Sequence, residues 1–186
     1  ATLTPADITA NWKPGSRVCM AVLEVPIDTI EQAFQIARSK SIETILNAAP
    51  PTHLSEYTLS LVDHLIVNET EAESICGIEV QDLDTAFDAA HAMRRSVRHS
   101  AIVTLGEHGA VLCGDTNLHV KAFQVQAVDS TAAGDAFCGA FAFARSQGDD
   151  LATAVHQASG AGALATTIAG AQPSLPTAAT LNEFLA

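Results

Sequence analysis

Short apolar runs alternate with amphipathic stretches over the first two-thirds of this chain, and that rhythm is the signal for its fold. Val18–Leu23 is a compact apolar run rich in β-branched residues, which predicts a buried strand. Asp28–Lys40 places Ile30, Phe34 and Ala37 on one face of a helix. Thr44–Leu46 reads as a second strand, stopped by the prolines of Asn47-Ala-Ala-Pro-Pro51. A helix over Leu54–Leu61 leads to a strand at His64–Val67. Helices at Glu69–Cys76 and Asp82–Val97 precede a strand at Ala101–Leu105. Repeated strand–helix alternation predicts a parallel sheet covered by helices.

After Gly106 the pattern changes. Ala110–Cys113 and Leu118–Ala127 are consecutive strand-like runs joined by Gly114-Asp115-Thr116-Asn117, which predicts a hairpin. Three helical stretches follow, Ala136–Gln147, Leu151–Ile168 and Thr177–Leu185. Gly160 and Gly162 interrupt the second, each at about 1 kcal/mol relative to alanine. Something must approach that helix closely, and packing of a neighbouring helix is the better explanation than a nucleotide base. No internal repeat, low-complexity tract or long linker divides the chain, so a single domain over residues 1–186 is expected.

Composition narrows the partners. Among 186 residues, 9 Lys+Arg face 21 Asp+Glu, a net charge of −12. Nucleic acid is therefore excluded as a partner, since phosphate binding needs clustered cations. The one dense basic group, Arg94, Arg95 and Arg98, reads as a solvated helix end. Cys19, Cys76, Cys113 and Cys138 are scattered without a CxxC pair, which fits buried thiols in a reducing cytoplasm better than zinc. The seven histidines show no metal spacing; His64 and His156 read as satisfied side chains rather than ligand contacts. No apolar stretch reaches membrane-spanning length and no signal core stands at the start, so a soluble cytoplasmic protein is expected.

The densest chemistry lies at residues 129–144, where a loop of small and polar residues runs through Gly134-Asp135 into an apolar helix. Ala132, Ala133 and Gly134 let a ligand approach the backbone, and amides at a helix start favour an anion. Asp135 adds a carboxylate at the same spot. An anion pocket with its own base is what phosphoryl transfer to a hydroxyl requires. The plain alternative is a helix capped by Asp129, Ser130 or Thr131. No GxxxxGK[ST] occurs, so a P-loop is excluded, and the GxGxxG of a dinucleotide fold is also missing.

The whole segment closely resembles the signature of the ribokinase-like (PfkB-type) carbohydrate kinases. That resemblance implies that Asp135 deprotonates a sugar hydroxyl while Ala132, Ala133 and Gly134 hold the transferred phosphoryl group. Three further segments extend it in order. Leu65-Ile-Val-Asn68-Glu-Thr-Glu71 is locally a capping box and is also similar to the family's Asn-x-x-Glu motif, in which Asn68 serves the nucleotide and Glu71 holds Mg2+ through water. Thr104-Leu-Gly106-Glu-His-Gly109 matches the loop that follows the nucleotide. Ala165–Ser174 matches a monovalent-cation site, usually potassium, built from Asp129, Thr131, Ala165, Ile168, Gly170 and Ser174. Ser159 stands where the family often has Asn or His beside the adenine.

The expected fold is a three-layer α/β/α domain with a mostly parallel sheet and a β-hairpin, matching only the later part of the family. Within the family, Leu46–Pro50, Asn68–Glu73 and Gly170–Pro176 resemble ribokinases more than fructokinases or adenosine kinases. Glu24 matches a position that contacts the sugar, though a solvated strand-end carboxylate explains it equally well. The implied reaction is ATP-dependent phosphorylation of D-ribose to D-ribose 5-phosphate. The sugar-binding segment and β-sheet lid usual at the family's start are not found. Weak or no turnover is expected of this chain alone, and association through that lid is not expected. The alternative is a non-catalytic nucleotide-binding module completed by another chain.

Overall fold

A computed structural model describes residues 3–186. Its backbone contacts divide it into two compact units. The first runs through Thr104 and takes in Val111–Asn117; the second comprises Leu105–Ala110 and Leu118–Ala186. The fold is of the expected three-layer α/β class, with six strands forming one sheet in the order of the chain.

The first unit opens on helix α1 (Pro5–Asn11), then alternates β1 (Val18–Val22), α2 (Ile27–Ser39), β2 (Glu43–Asn47), α3 (Glu56–Ser60), β3 (His64–Asn68), α4 (Glu69–Cys76), α5 (Leu83–Arg94) and β4 (Ser100–Thr104). Strands β1 to β4 pair in parallel. Parallel strands covered on both faces read as unbroken apolar runs, and Leu65, Ile66, Val67, Ile102 and Val103 are accordingly buried. Phe34 and Ala37 of α2 and Ala89, Ala90 and Met93 of α5 complete this core. Helix α1 was not evident from apolar spacing, because none of its residues is buried. Its signals are Pro5 at the first turn and the Thr4–Asp7 capping box.

Beyond β4, Gly106–His108 makes one 3-10 turn, followed by β5 (Ala110–Cys113) and β6 (Asn117–Val120). Three residues join these two strands, so they run antiparallel, as the hairpin signal predicted. Strand β6 is shorter than its sequence pattern. Residues 121–127 leave the ladder, and Phe123 packs edge-on to His156 and against Phe184.

The second unit is mainly α6 (Ala133–Gln147), α7 (Leu151–Ala165), the single turn α8 (Ala171–Ser174) and α9 (Ala178–Leu185). Ala136, Ala161, Ala165 and Leu181 form its buried cluster. Small side chains there let the helices approach closely. A Cβ on Gly160 would lie 2.8 Å from Leu185 Cδ2, and one on Gly162 would lie 3.3 Å from the Ala133 carbonyl oxygen. The two glycines are thus explained by neighbouring helices, as expected. Helix α7 stops three residues short of its apolar pattern. There the Thr166 and Thr167 hydroxyls turn back onto the carbonyls of Ala163 and Leu164.

Candidate active site

Within the first unit, the parallel register sets Asn68 beside Thr104 at the carboxyl ends of β3 and β4, the edge where open α/β sheets bind ligands. Glu24, two residues past β1, is exposed at the same edge. Asn68 caps α4, its Oδ1 accepting from the Glu71 amide at 2.9 Å. Glu71 returns the bond, accepting from the Asn68 amide at 2.8 Å and from Asn68 Nδ2 at 3.1 Å. The structural reading of this motif therefore holds in full. Glu71 is 4 % exposed; burial pushes its carboxyl pKa up, the Asn68 amide pulls it down, and the Glu69 charge adds to the rise. Each Glu71 oxygen keeps a second lone pair. No cluster of three or more His, Cys, Asp or Glu able to hold a metal exists among the described residues. The Thr104 hydroxyl donates to the Val67 carbonyl at 3.2 Å, so it ties β4 to β3.

Within the second unit, the start of α6, like that of the single turn α8, lacks the side-chain cap found on α7 and α9. Helices α1, α3, α4, α5, α7 and α9 each begin with a side chain accepting from their first turn. Helix α6 does not: its cap residue is Ala132, in the left-handed region at φ 63°. The plain expectation of a cap from Asp129, Ser130 or Thr131 is thereby corrected. Asp129 is spent elsewhere, and Ala132 carries no acceptor. Of the three residues expected to form the anion hole, Ala133 donates its amide to the Ser130 carbonyl at 3.2 Å. The amides of Ala132 and Gly134, and also that of Asp135, have no acceptor among the described residues. A Cβ on Gly134 would meet nothing within 4 Å, so this helix start is open. The Asp135 side chain is exposed beside it. Uncapped amides at the positive end of a 15-residue helix, with a carboxylate alongside, can hold an anion next to a base.

The two loops assigned to a cation do meet. Val128 and Asp129 both donate their amides to the Thr166 carbonyl, at 2.7 and 3.0 Å. Asp129 Oδ1 accepts from the Thr131 amide at 2.9 Å and Oδ2 from the Gly170 amide at 2.8 Å. These bonds, Gly170 foremost, lower the Asp129 carboxyl pKa to about 2. Ala165 ends α7, where carbonyls lack helical partners, and Ile168 is half exposed. The Ser174 hydroxyl is buried and donates to the Ala171 carbonyl at 2.7 Å. Ser159 is buried in α7, and its hydroxyl has no hydrogen-bond partner among the described residues.

Gly106 and Gly109 both have positive φ. At Gly109 the crowding comes from the chain itself: a Cβ would lie 2.0 Å from the Val120 carbonyl oxygen. Gly106 has open space. His64 is satisfied, with Nδ1 2.8 Å from Ser100 Oγ and Nε2 2.8 Å from Glu43 Oε1. Sequence reasoning missed the Asp129–Gly170 bond, which spans 41 residues and has no local signature. It did flag Gly162, which lies close to the Ala133 carbonyl in the first turn of α6.

Ribokinase of Staphylococcus aureus is 37% identical over 98% of this chain and 61% of its own length. Ribokinase of Haemophilus influenzae is 39% identical over 88% of this chain and 54% of its own. The chain thus spans roughly three-fifths of these relatives' length. The crystal structure of ribokinase from Thermotoga maritima superposes with a TM-score of 0.80 at 31% identity, covering 91% of this chain and 57% of that one. The model of the pfkB family carbohydrate kinases matches residues 11–178, from the end of α1 to the start of α9. With the uncapped helix start and Asp135 inside that match, the chain belongs to the pfkB family of carbohydrate kinases.

Proposed function

We propose that this chain carries the phosphoryl-transfer half of an ATP-dependent sugar kinase, with D-ribose as acceptor and D-ribose 5-phosphate as product. The observation that supports it best is the α6 start, with open amides at Gly134 and Asp135 and no side chain to cap them. In this reading Asp135 takes the proton from the sugar hydroxyl, whose oxygen attacks the terminal phosphorus of ATP. The bond to the bridging oxygen breaks and ADP leaves. The amides stabilise charge on the migrating group, a form of stabilisation worth several kcal/mol in other enzymes. Asn68 and Glu71 serve the nucleotide side, and Mg2+ neutralises the phosphates when bound. Thr104, Gly106 and Ser159 are assigned to the nucleotide in this reading and Glu24 to the sugar, whereas the room at Gly109 is taken by the Val120 carbonyl. A monovalent cation, potassium by the chemistry of a carbonyl cage, would lie among the carbonyls of Thr131, Ala165, Ile168 and Gly170 with Asp129 and Ser174. The names of the relatives support ribose, and their greater length makes the acceptor and the strength of turnover the points to measure.

Residues 1–186 are proposed to act as one catalytic domain fragment, with weak turnover by themselves, because sugar orientation contributes about 7–11 kcal/mol in such reactions. The four cysteines are unbridged, which fits the reducing compartment proposed here, the cytoplasm; no described helix is long and apolar enough to cross a membrane. The test is coupled ADP release with ribose, fructose and adenosine, with and without KCl. Asp135→Asn is expected to lower turnover roughly 10²–10⁴-fold; unchanged ribose phosphorylation by that variant rejects the assignment. ATP binding by calorimetry with no sugar-dependent ADP release favours the non-catalytic nucleotide module instead.

A further inference from the structure

We infer that Asn47 is a positioning residue for the Asn68–Glu71 corner, where β3 turns into α4. Asn47 ends β2 level with Ile66, two residues before Asn68. Its Nδ2 donates to the Ile66 carbonyl at 3.1 Å, and the Ala48 amide donates to the same oxygen at 3.1 Å. Successive carbonyls along a strand point to opposite neighbours. The next one, on Val67, accordingly accepts from the Thr104 hydroxyl of β4 at 3.2 Å. The N–H of that same peptide group belongs to Asn68 and donates to Glu71 Oε2 at 2.8 Å. The two peptide groups that lead into Asn68 are thus held from β2, from β4 and from α4.

The side chain is needed because β2 stops here, so its ladder cannot follow β3 any further. Asn47 extends that hold by one donor. Its half-buried amide suits the place: the arm is short, and it brings a donor without a charge. Aspartate would set a carboxylate against the Ile66 oxygen, and leucine would fill the space with no donor. A corner already in place spends no binding free energy on being ordered when a ligand arrives. Asn47 therefore acts on the nucleotide side through Ile66 and Asn68, touching no reactant. That consequence rests on the phosphoryl-transfer reading; the anchoring of the corner does not.

Amide exchange on the intact chain tests the anchoring, read residue by residue by NMR. Asn47→Leu, which is close in size, and Asn47→Ala both remove the donor. The Asn68 amide is expected to exchange roughly 3–10-fold faster in each variant than in the native protein. Ala101 and Val103 in β4 should stay equally protected throughout, which shows that the variants are folded. Unchanged Asn68 exchange in a folded variant would overturn the inference. Calorimetry with MgATP carries the test to the site, where Kd should rise by about the same 3–10-fold. In turnover assays KM for ATP should follow it, with kcat and KM for ribose within about twofold of native, a split that general loosening of the fold would not produce. Faster exchange with unchanged MgATP affinity would leave the anchoring standing and overturn its service to the nucleotide. Failure of the native chain to bind ATP would count against the kinase reading alone, because exchange still decides the role of Asn47.

Discussion

Ala132 holds an L side chain at φ 63°, a conformation that costs roughly 1–2 kcal/mol. Glycine there relieves that strain but loses about 0.5–1 kcal/mol of chain entropy. Ala132→Gly should therefore stabilise the protein by about 0.5–1 kcal/mol, visible as a higher urea midpoint at constant m-value. A lower midpoint would mean that neighbouring bonds have already absorbed the strain. Acid sensitivity separates two carboxylates. Asp129 sits at about 2 in the fold, below its unfolded value. Its contribution is complete above about pH 4 and lost as pH falls through about 2. Glu71 is raised by burial, so the folded protein binds its proton more tightly and stability is gained as pH falls through that group. The acid limb of the melting profile should accordingly flatten in Asp129→Asn, and no flattening would show that Asp129 does not set it.

At the scale of elements, glycines decide which segments can meet. Gly109 has positive φ, and its missing Cβ leaves room for the Val120 carbonyl at the end of β6. Gly109→Ala combines backbone strain with a clash against main chain and should destabilise by about 2–4 kcal/mol. A urea midpoint within error of native would refute that packing. Gly160 and Gly162 lie two residues apart on α7 yet face different partners. A Cβ at 160 meets the tip of the Leu185 side chain, while one at 162 meets the Ala133 carbonyl. Substitution by valine should cost stability at both positions. Only Gly162→Val should also depress turnover relative to nucleotide binding, because it pushes on the first turn of α6. Equal kcat in the two variants would remove Gly162 from the site.

Across the whole molecule the net charge of −12 opposes an anionic nucleotide. Repulsion between like charges is screened within a Debye length, about 30 Å at 0.01 M and about 8 Å at 0.15 M salt. Nucleotide association should therefore quicken, not slow, as salt rises through that range. Stopped-flow rates that fall with salt would reveal a locally positive site that the overall charge conceals.

The strand–helix alternation, the hairpin and the Asn68–Glu71 capping box were legible in the sequence because each depends on neighbours a few residues apart. Patterning also located the segment that starts α6 and its carboxylate. Other features formed only in three dimensions. Apolar spacing could not end β6 at Val120, since Phe123 is drawn off by His156 and Phe184 on distant helices. Nor could it show that Asp129 would serve Gly170 instead of capping α6. That choice leaves the helix start open, and it was made by a contact between residues 41 positions apart. Local rules reach only as far as a turn or two of chain; which polar group satisfies which amide is settled when the loops close on each other.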